Sequence, residues 1–184
     1  MEININIREF IELVLLEEKY ASEKKYVDFY RLERKKSKKY RRYVSLLYNQ
    51  ICWEEANTYL KLVNLLLQNE LTIDDFQTQF YDLRESTDNN CNKLIKQLKH
   101  EVQSGKLTTT EIEINPQSKR FSRVIEDYLF NLLEVYNPKA TLEDNLANPD
   151  LIYLENMSGP LLKSIIEERI KPKLENYCDG KRLK

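Results

Sequence analysis

One stretch, Trp53 to Arg84 (WEEANTYLKLVNLLLQNELTIDDFQTQFYDLR), leaves this chain few choices of fold. Trp53, Ala56, Leu60, Val63 and Leu67 recur at steps of three and four, which places them on one face of a helix. Asn69 follows as a stop. Thr72 is placed to accept a hydrogen bond from a first-turn amide. With Asp75 three residues on, it forms a capping box in which Asp replaces Glu. Ile73, Phe76, Phe80 and Leu83 then make a second apolar stripe, while Asp75, Gln79 and Asp82 share another face. The expected unit is an antiparallel helical hairpin whose stripes pack together. The acidic face of its second helix is a candidate contact surface.

The flanking sequence extends this helical character. Only 3 Gly and 5 Pro in 184 residues disfavour a turn-rich β sandwich. Ile3, Ile5 and Ile7 alternate as a short strand would, and Ile112 and Ile114 in LTTTEIEIN offer it a partner. Helices are expected over Arg8 to Tyr20, Ser22 to about Asn49 (with Val27, Tyr30, Val44, Leu47 and Tyr48 apolar) and Lys93 to Gln103. Ser86 to Asn92 reads as a polar loop. Asn115-Pro116 reads as a cap and first position opening a helix that Asn137-Pro138 ends. Ala140 to Met157 reads as an acidic loop with Glu143, Asp144, Asp150 and Glu155, and Asn148-Pro149 as a turn within it. Ser158-Gly159-Pro160 opens a last helix that Pro172 should kink or end, followed by a frayed GKRLK tail. The fold class is mainly α, a bundle of about five to seven helices with at most one short strand pair. Residues 1–52 read as a basic N-terminal helical segment and residues 53–184 as a helical bundle, the two forming one continuous globular unit.

The net charge of −1 hides an uneven distribution. Residues 1–68 carry a net +3, residues 69–157 a net −7 and residues 158–184 a net +3. Within the first segment, RLERKKSKKYRRY holds Arg31, Arg34, Lys35, Lys36, Lys38, Lys39, Arg41 and Arg42 against one acid, Glu33. With Tyr30, Tyr40 and Tyr43 interleaved, this run suits RNA phosphates and stacked bases. The alternatives are a solvated basic helix, or a structural subunit that docks its basic helix onto an acidic partner.

Catalytic and metal-binding patterns are missing from the sequence. His100 is the single histidine, and Cys52, Cys91 and Cys178 lie far apart, so no ligand spacing is present. The odd cysteine count and the lack of a CxxC pair suggest reduced thiols rather than a disulfide framework. Gly105, Gly159 and Gly180 form no phosphate loop. The carboxylate pairs Glu17-Glu18, Glu54-Glu55 and Glu167-Glu168 are adjacent on helices and diverge by about 100°. No catalytic residue, metal or cofactor is expected. The start MEININIREF lacks a cationic region followed by an apolar run, and no segment approaches the ~18 apolar residues of a membrane span. A cytoplasmic location is expected, or the plastid stroma for a plastid-encoded chain.

From Trp53 to Tyr177 the order of features resembles bacterial self-protective immunity proteins of the colicin D type, and related cyanobacterial and plastid-encoded proteins. The pieces that carry the resemblance are WEEANTYLKLVNLLLQNELTIDDFQTQF, EINPQSKRFSRVIEDYLFNLLEVY, an acidic loop and a final amphipathic helix. The resemblance implies a small helical bundle that binds a nuclease toxin and blocks its basic active site. Carboxylates would take the place of RNA phosphates, and the charge complementarity would speed and direct association. Asp75, Asp82, Asp127, Glu134, Glu143 and Asp144 are the candidates for that role.

Overall fold

The alternating isoleucines at the start of the chain do form a strand, β1 (Ile3–Asn6), antiparallel to β2 (Glu111–Ile114). The register sets Ile3 opposite Ile114 and Ile5 opposite Ile112. Ile7 leaves the strand: Asn6 accepts a hydrogen bond from the Glu9 amide and caps α1 (Ile7–Ser22). In the computed structural model, residues 3–147, 149, 152 and 156–182 are described, and they are mainly helical with this one two-stranded sheet. No helix among them is long and apolar enough to cross a membrane.

Two compact units are built from interleaved stretches of chain. The first comprises Met1–Ile51 and Ser86–Ser118, the second Cys52–Glu85 and Lys119–Lys184. The long helices α3 (Arg34–Glu54) and α5 (Ile73–Gln103) contribute to both.

In the first unit, the expected helix from Ser22 to Asn49 is broken twice. Lys24 takes a left-handed conformation (φ 57°), and the Lys24 and Lys25 amides bond back to Ala21 and Tyr20 carbonyls, closing α1. A second break at Glu33 separates α2 (Tyr26–Leu32) from α3. Of α2 only Phe29 is buried, and Val27 is 75% exposed rather than part of the core. The core of this unit gathers Ile5, Phe10, Ile11, Val14, Leu47, Cys91, Leu98 and Ile114.

The polar stretch Ser86–Asn92 is helical, not a loop. Thr87 and Cys91 are buried there, and they continue the spacing of Phe76 and Phe80 on to Leu98. The burial stripe runs through residues whose letters look like solvent.

The second unit opens with Trp53 in the last turn of α3 instead of heading the hairpin. The Glu55 amide bonds to the Cys52 carbonyl in a tight turn, and α4 (Ala56–Leu67) starts after it. Asn69 stops α4 as expected, in a left-handed conformation (φ 59°), with the Glu70 amide reaching the Leu65 carbonyl. Thr72 then receives the Asp75 amide at 3.1 Å and donates to its carboxylate at 2.7 Å. Tyr59 and Phe80 meet across the hairpin, their rings 5.9 Å apart.

Asn115-Pro116 forms a turn, and the helix begins two residues later as α6 (Ser118–Arg123), because the Asn115 carbonyl and side chain accept the Ser118 and Gln117 amides. The helix continues through a π-helical segment, Val124–Phe130, into α7 (Asn131–Glu134). Residues 140–147 are not all loop: Thr141 and Asp144 cap a short α8 (Leu142–Ala147). Asn148, Asp150 and Glu155 lie outside the described residues. The last helix does not end at Pro172. It runs as α9 (Gly159–Ile165), a π segment Ile166–Ile170 and α10 (Lys171–Arg182), so Gly180–Arg182 of the expected frayed tail are helical. The wider π turn ends two residues before the proline, which lacks an amide proton and would otherwise crowd the preceding turn.

Both π segments coincide with a strict step of four. Phe121, Ile125, Leu129 and Leu133 are buried in one helix, and Leu162, Ile166, Ile170, Leu174 and Cys178 in the other. On a 3.6-residue helix each such step drifts by about 40°. A π turn holds more residues and turns the stripe back toward the core. Phe121 is wholly buried and makes edge-on ring contacts with Trp53, Tyr59 and Tyr177 at 5.7, 6.1 and 5.8 Å. Replacing Phe121 by Ala should cost about 3–5 kcal/mol of stability, through a cavity that three rings cannot jointly fill. Urea unfolding checks this, as a lowered midpoint at unchanged slope.

Candidate functional site

The second unit holds all six candidate carboxylates, and it carries 18 acidic against 13 basic residues, a net of −5. Its acidic helices are held side by side by a polar clamp. The Arg84 guanidinium donates two hydrogen bonds to Glu126, at 3.0 and 2.6 Å, and lies 4.1 Å from the centre of the Phe130 ring. Both side chains of the pair are about three-quarters buried (26% and 24% exposed). One turn before Arg84, the Tyr81 hydroxyl donates to Glu134 at 2.6 Å. One turn further back, Gln77 donates to the Leu133 carbonyl at 3.3 Å. Burial, and after it the hydrogen bond to Glu134, pushes the Tyr81 hydroxyl above its usual pKa.

All six acids are exposed, but they do different work. Asp75 and Asp144 are occupied as helix caps through Thr72 and Thr141. Thr141 holds the Asp144 carboxyl below the usual carboxylate range. Glu134 is drawn toward α5 by Tyr81. Asp127 faces Arg123 at 4.0 Å, and Lys173 lies over the neighbouring Tyr128 ring at 4.4 Å. Asp82 and Glu143 make no ion pair among the described residues. The clamp ties Glu134 to α5 through Tyr81, while Asp82, the next residue along, is exposed. Glu143 and Asp144 stand on α8, whose Asn145 donates to the Asn156 carbonyl and accepts the Ser158 amide.

The first unit carries 16 basic against 12 acidic residues, a net of +4. Of the candidate cations, Arg31 pairs with Asp28 at 3.2 Å, Lys36 with Glu33 at 3.1 Å and Lys39 with Glu9. Arg34, Lys35, Lys38 and Arg42 are exposed and form no ion pair among the described residues. Three of these eight cations crowd the first turn of α3, where the helix dipole favours the opposite charge and no acid is present. Tyr43 is buried and donates to Glu9 at 2.8 Å, which removes it from the expected set of stacking rings. The hydrogen bonds from Lys39 and Tyr43 hold the Glu9 carboxyl below its ordinary value of 4.5.

No three His, Cys, Asp or Glu side chains are grouped as metal ligands among the described residues. His100 is exposed. The three cysteines are buried and form no disulfide, and burial raises the Cys52 thiol to about 12 and the Cys91 thiol to about 11, far from a reactive thiolate at neutral pH.

Arg84→Ala should destabilise the protein by about 2–3 kcal/mol, between the values for exposed and buried ion pairs, because Glu126, three-quarters buried, would lose both hydrogen bonds and the charge of the guanidinium. Chemical denaturation measures this. The Glu9 carboxyl binds its proton less readily folded than unfolded. Its contribution is therefore complete above pH about 4.5 and is lost as pH falls through the depressed folded value. Glu9→Gln should flatten that acid limb of the stability curve and leave the curve parallel to wild type around neutral pH.

No family model, no curated protein and no solved structure matches this chain.

Proposed function

We propose that the chain is a non-enzymatic binding protein that takes a basic protein partner on the acidic face of its second unit, in the manner of an immunity protein against a nuclease toxin. The observation that carries this reading is the collection of all six candidate carboxylates, exposed, on the unit with net charge −5. A nuclease presents Lys and Arg to phosphate, and carboxylates set on packed helices can occupy those cations without being cleaved. The clamp of Arg84, Glu126 and Tyr81 limits the rearrangement that binding would require of Asp82 and Glu134. Asp75 and Asp144 are poor test positions because their loss would also uncap helices.

The test is capture of partners from native extract by the tagged protein, with and without ribonuclease, using the wild type and an Asp82→Lys/Glu143→Lys variant. A single stoichiometric basic protein that survives ribonuclease is expected. Its affinity should fall at least about tenfold for the variant, chiefly through slower association. Its RNA cleavage should stop on addition of one equivalent of the wild-type chain. Capture that is unchanged by the reversals, or lost on ribonuclease treatment, sinks the reading.

A further inference from the structure

The first unit contains a cleft of about 440 Å³ walled by Tyr26, Tyr30, Tyr40 and Tyr48, with Arg41 and Asp88 also at its lining. Its size falls in the range of small-ligand sites. The outer wall is prepared for contact. Tyr26 is 50% exposed although large and aromatic. Its ring is 5.0 Å from that of Tyr30 at 62°, and the two hydroxyls share a hydrogen bond of 2.8 Å. The Arg41 guanidinium lies 5.4 Å from the centre of the Tyr30 ring. These contacts hold two rings and one guanidinium plane at the mouth, where a further planar group can stack.

The helix that carries Arg41 continues the site outward. Arg34, Lys38, Arg41, Ser45 and Tyr48 follow steps of four and three along α3, so Arg34 and Lys38, which form no ion pair among the described residues, share the face that lines the cleft. Arg34 and Arg41 are about 10 Å apart along the helix axis. Lys36 is paired with Glu33, but Arg34 and Lys35 stand on the positive end of α3 without an ion pair among the described residues and oppose the helix dipole, a local conflict that a polyanion would relieve.

We infer that this cleft stacks a nucleobase of a single-stranded nucleic acid while Arg34 and Lys38 hold the adjoining phosphates. Aromatic walls also bind cations, but here the Tyr30 ring already meets a guanidinium in a unit of net charge +4. An acidic peptide would use the cations and leave the tyrosine walls without a role. A duplex keeps its bases inside and cannot enter the cleft. This site is separate from the carboxylates assigned to a protein partner and stands or falls independently of them.

The probes are fluorescein-labelled single-stranded RNA and DNA of one mixed sequence, the matching duplex, and poly-glutamate, titrated onto the full-length chain across a range of salt. Either single strand should bind more tightly than the duplex and than poly-glutamate, and the ratio of RNA to DNA affinity names the natural source. Tyr26→Ala and Tyr30→Leu should each weaken single-strand binding roughly five- to hundredfold at unchanged salt dependence. Tyr26→Phe should keep most of the affinity that Tyr26→Ala loses, because the stacking ring stays and only its hydrogen bond to Tyr30 goes. Arg34→Gln and Lys38→Gln should instead lower the slope of log affinity against log salt by about 0.7 for each phosphate that is no longer neutralised. Tyr26→Trp gives a readout that does not depend on weakened binding, since its fluorescence should be quenched when a base stacks on it. Binding within twofold of wild type for both tyrosine variants, equal affinity for duplex or poly-glutamate, or no quenching of Tyr26→Trp overturns the proposal.

Discussion

The second unit depends on a single guanidinium. Arg84 forms two hydrogen bonds with Glu126 and covers the face of Phe130, so one side chain joins the first half of α5 to the helix at residues 118–134 by charge, by geometry and by ring contact. Three-quarters burial strengthens the pair relative to a surface ion pair, and it also makes the charge costly to leave alone. Tyr81 and Gln77 extend the same seam by one and two helical turns. The seam consumes polar groups on the inner faces of the two helices and leaves Asp82 and Asp127, each one position along, on the outside.

The apolar side of the unit follows from the same need to keep one face turned inward. Stripes at a step of four would wind away from the core on a regular helix, and in both cases a π segment turns them back. Phe121 stands at the start of one stripe among Trp53, Tyr59 and Tyr177, and Cys178 ends the other, buried at 2% exposure. The tyrosines thus serve two purposes. Tyr59 and Tyr177 pack in this core, whereas Tyr26 and Tyr30 stand at the mouth of a cleft in the first unit.

Charge is sorted by unit: a chain of net −1 folds into one unit of +4 and one of −5. The sorting is sharper than the linear sequence suggests, because each unit combines two distant stretches. Within each, part of the charge serves the fold. Asp75 and Asp144 cap helices, and Glu9 satisfies Lys39 and Tyr43. Among the candidate residues, Asp82 and Glu143 in one unit and Arg34, Lys35, Lys38 and Arg42 in the other stay exposed and form no ion pair among the described residues, so no ion pair in the fold uses their charge.

The sequence alone determined the mainly helical class, the strand pair and its isoleucine partners, and the stop-and-cap signal from Asn69 to Asp75. It also determined the membership of the acidic and basic candidate sets. These rest on local rules: alternation, helical periodicity, left-handed Asn and side-chain capping act over a few residues and are written in adjacent letters. Tertiary structure decided the rest. It made Ser86–Asn92 helical, because Thr87 and Cys91 bury on a shared stripe whatever their polarity. It carried the last helix past Pro172 by inserting a π turn, and it withdrew Tyr43 from the stacking set by giving its hydroxyl to Glu9. It brought Arg84 to Glu126, 42 residues away, and Tyr26 to a cleft with Tyr48 and Asp88. No local pattern encodes such meetings, because the free energy of a buried ion pair or a ring contact exists only once distant segments have excluded water together.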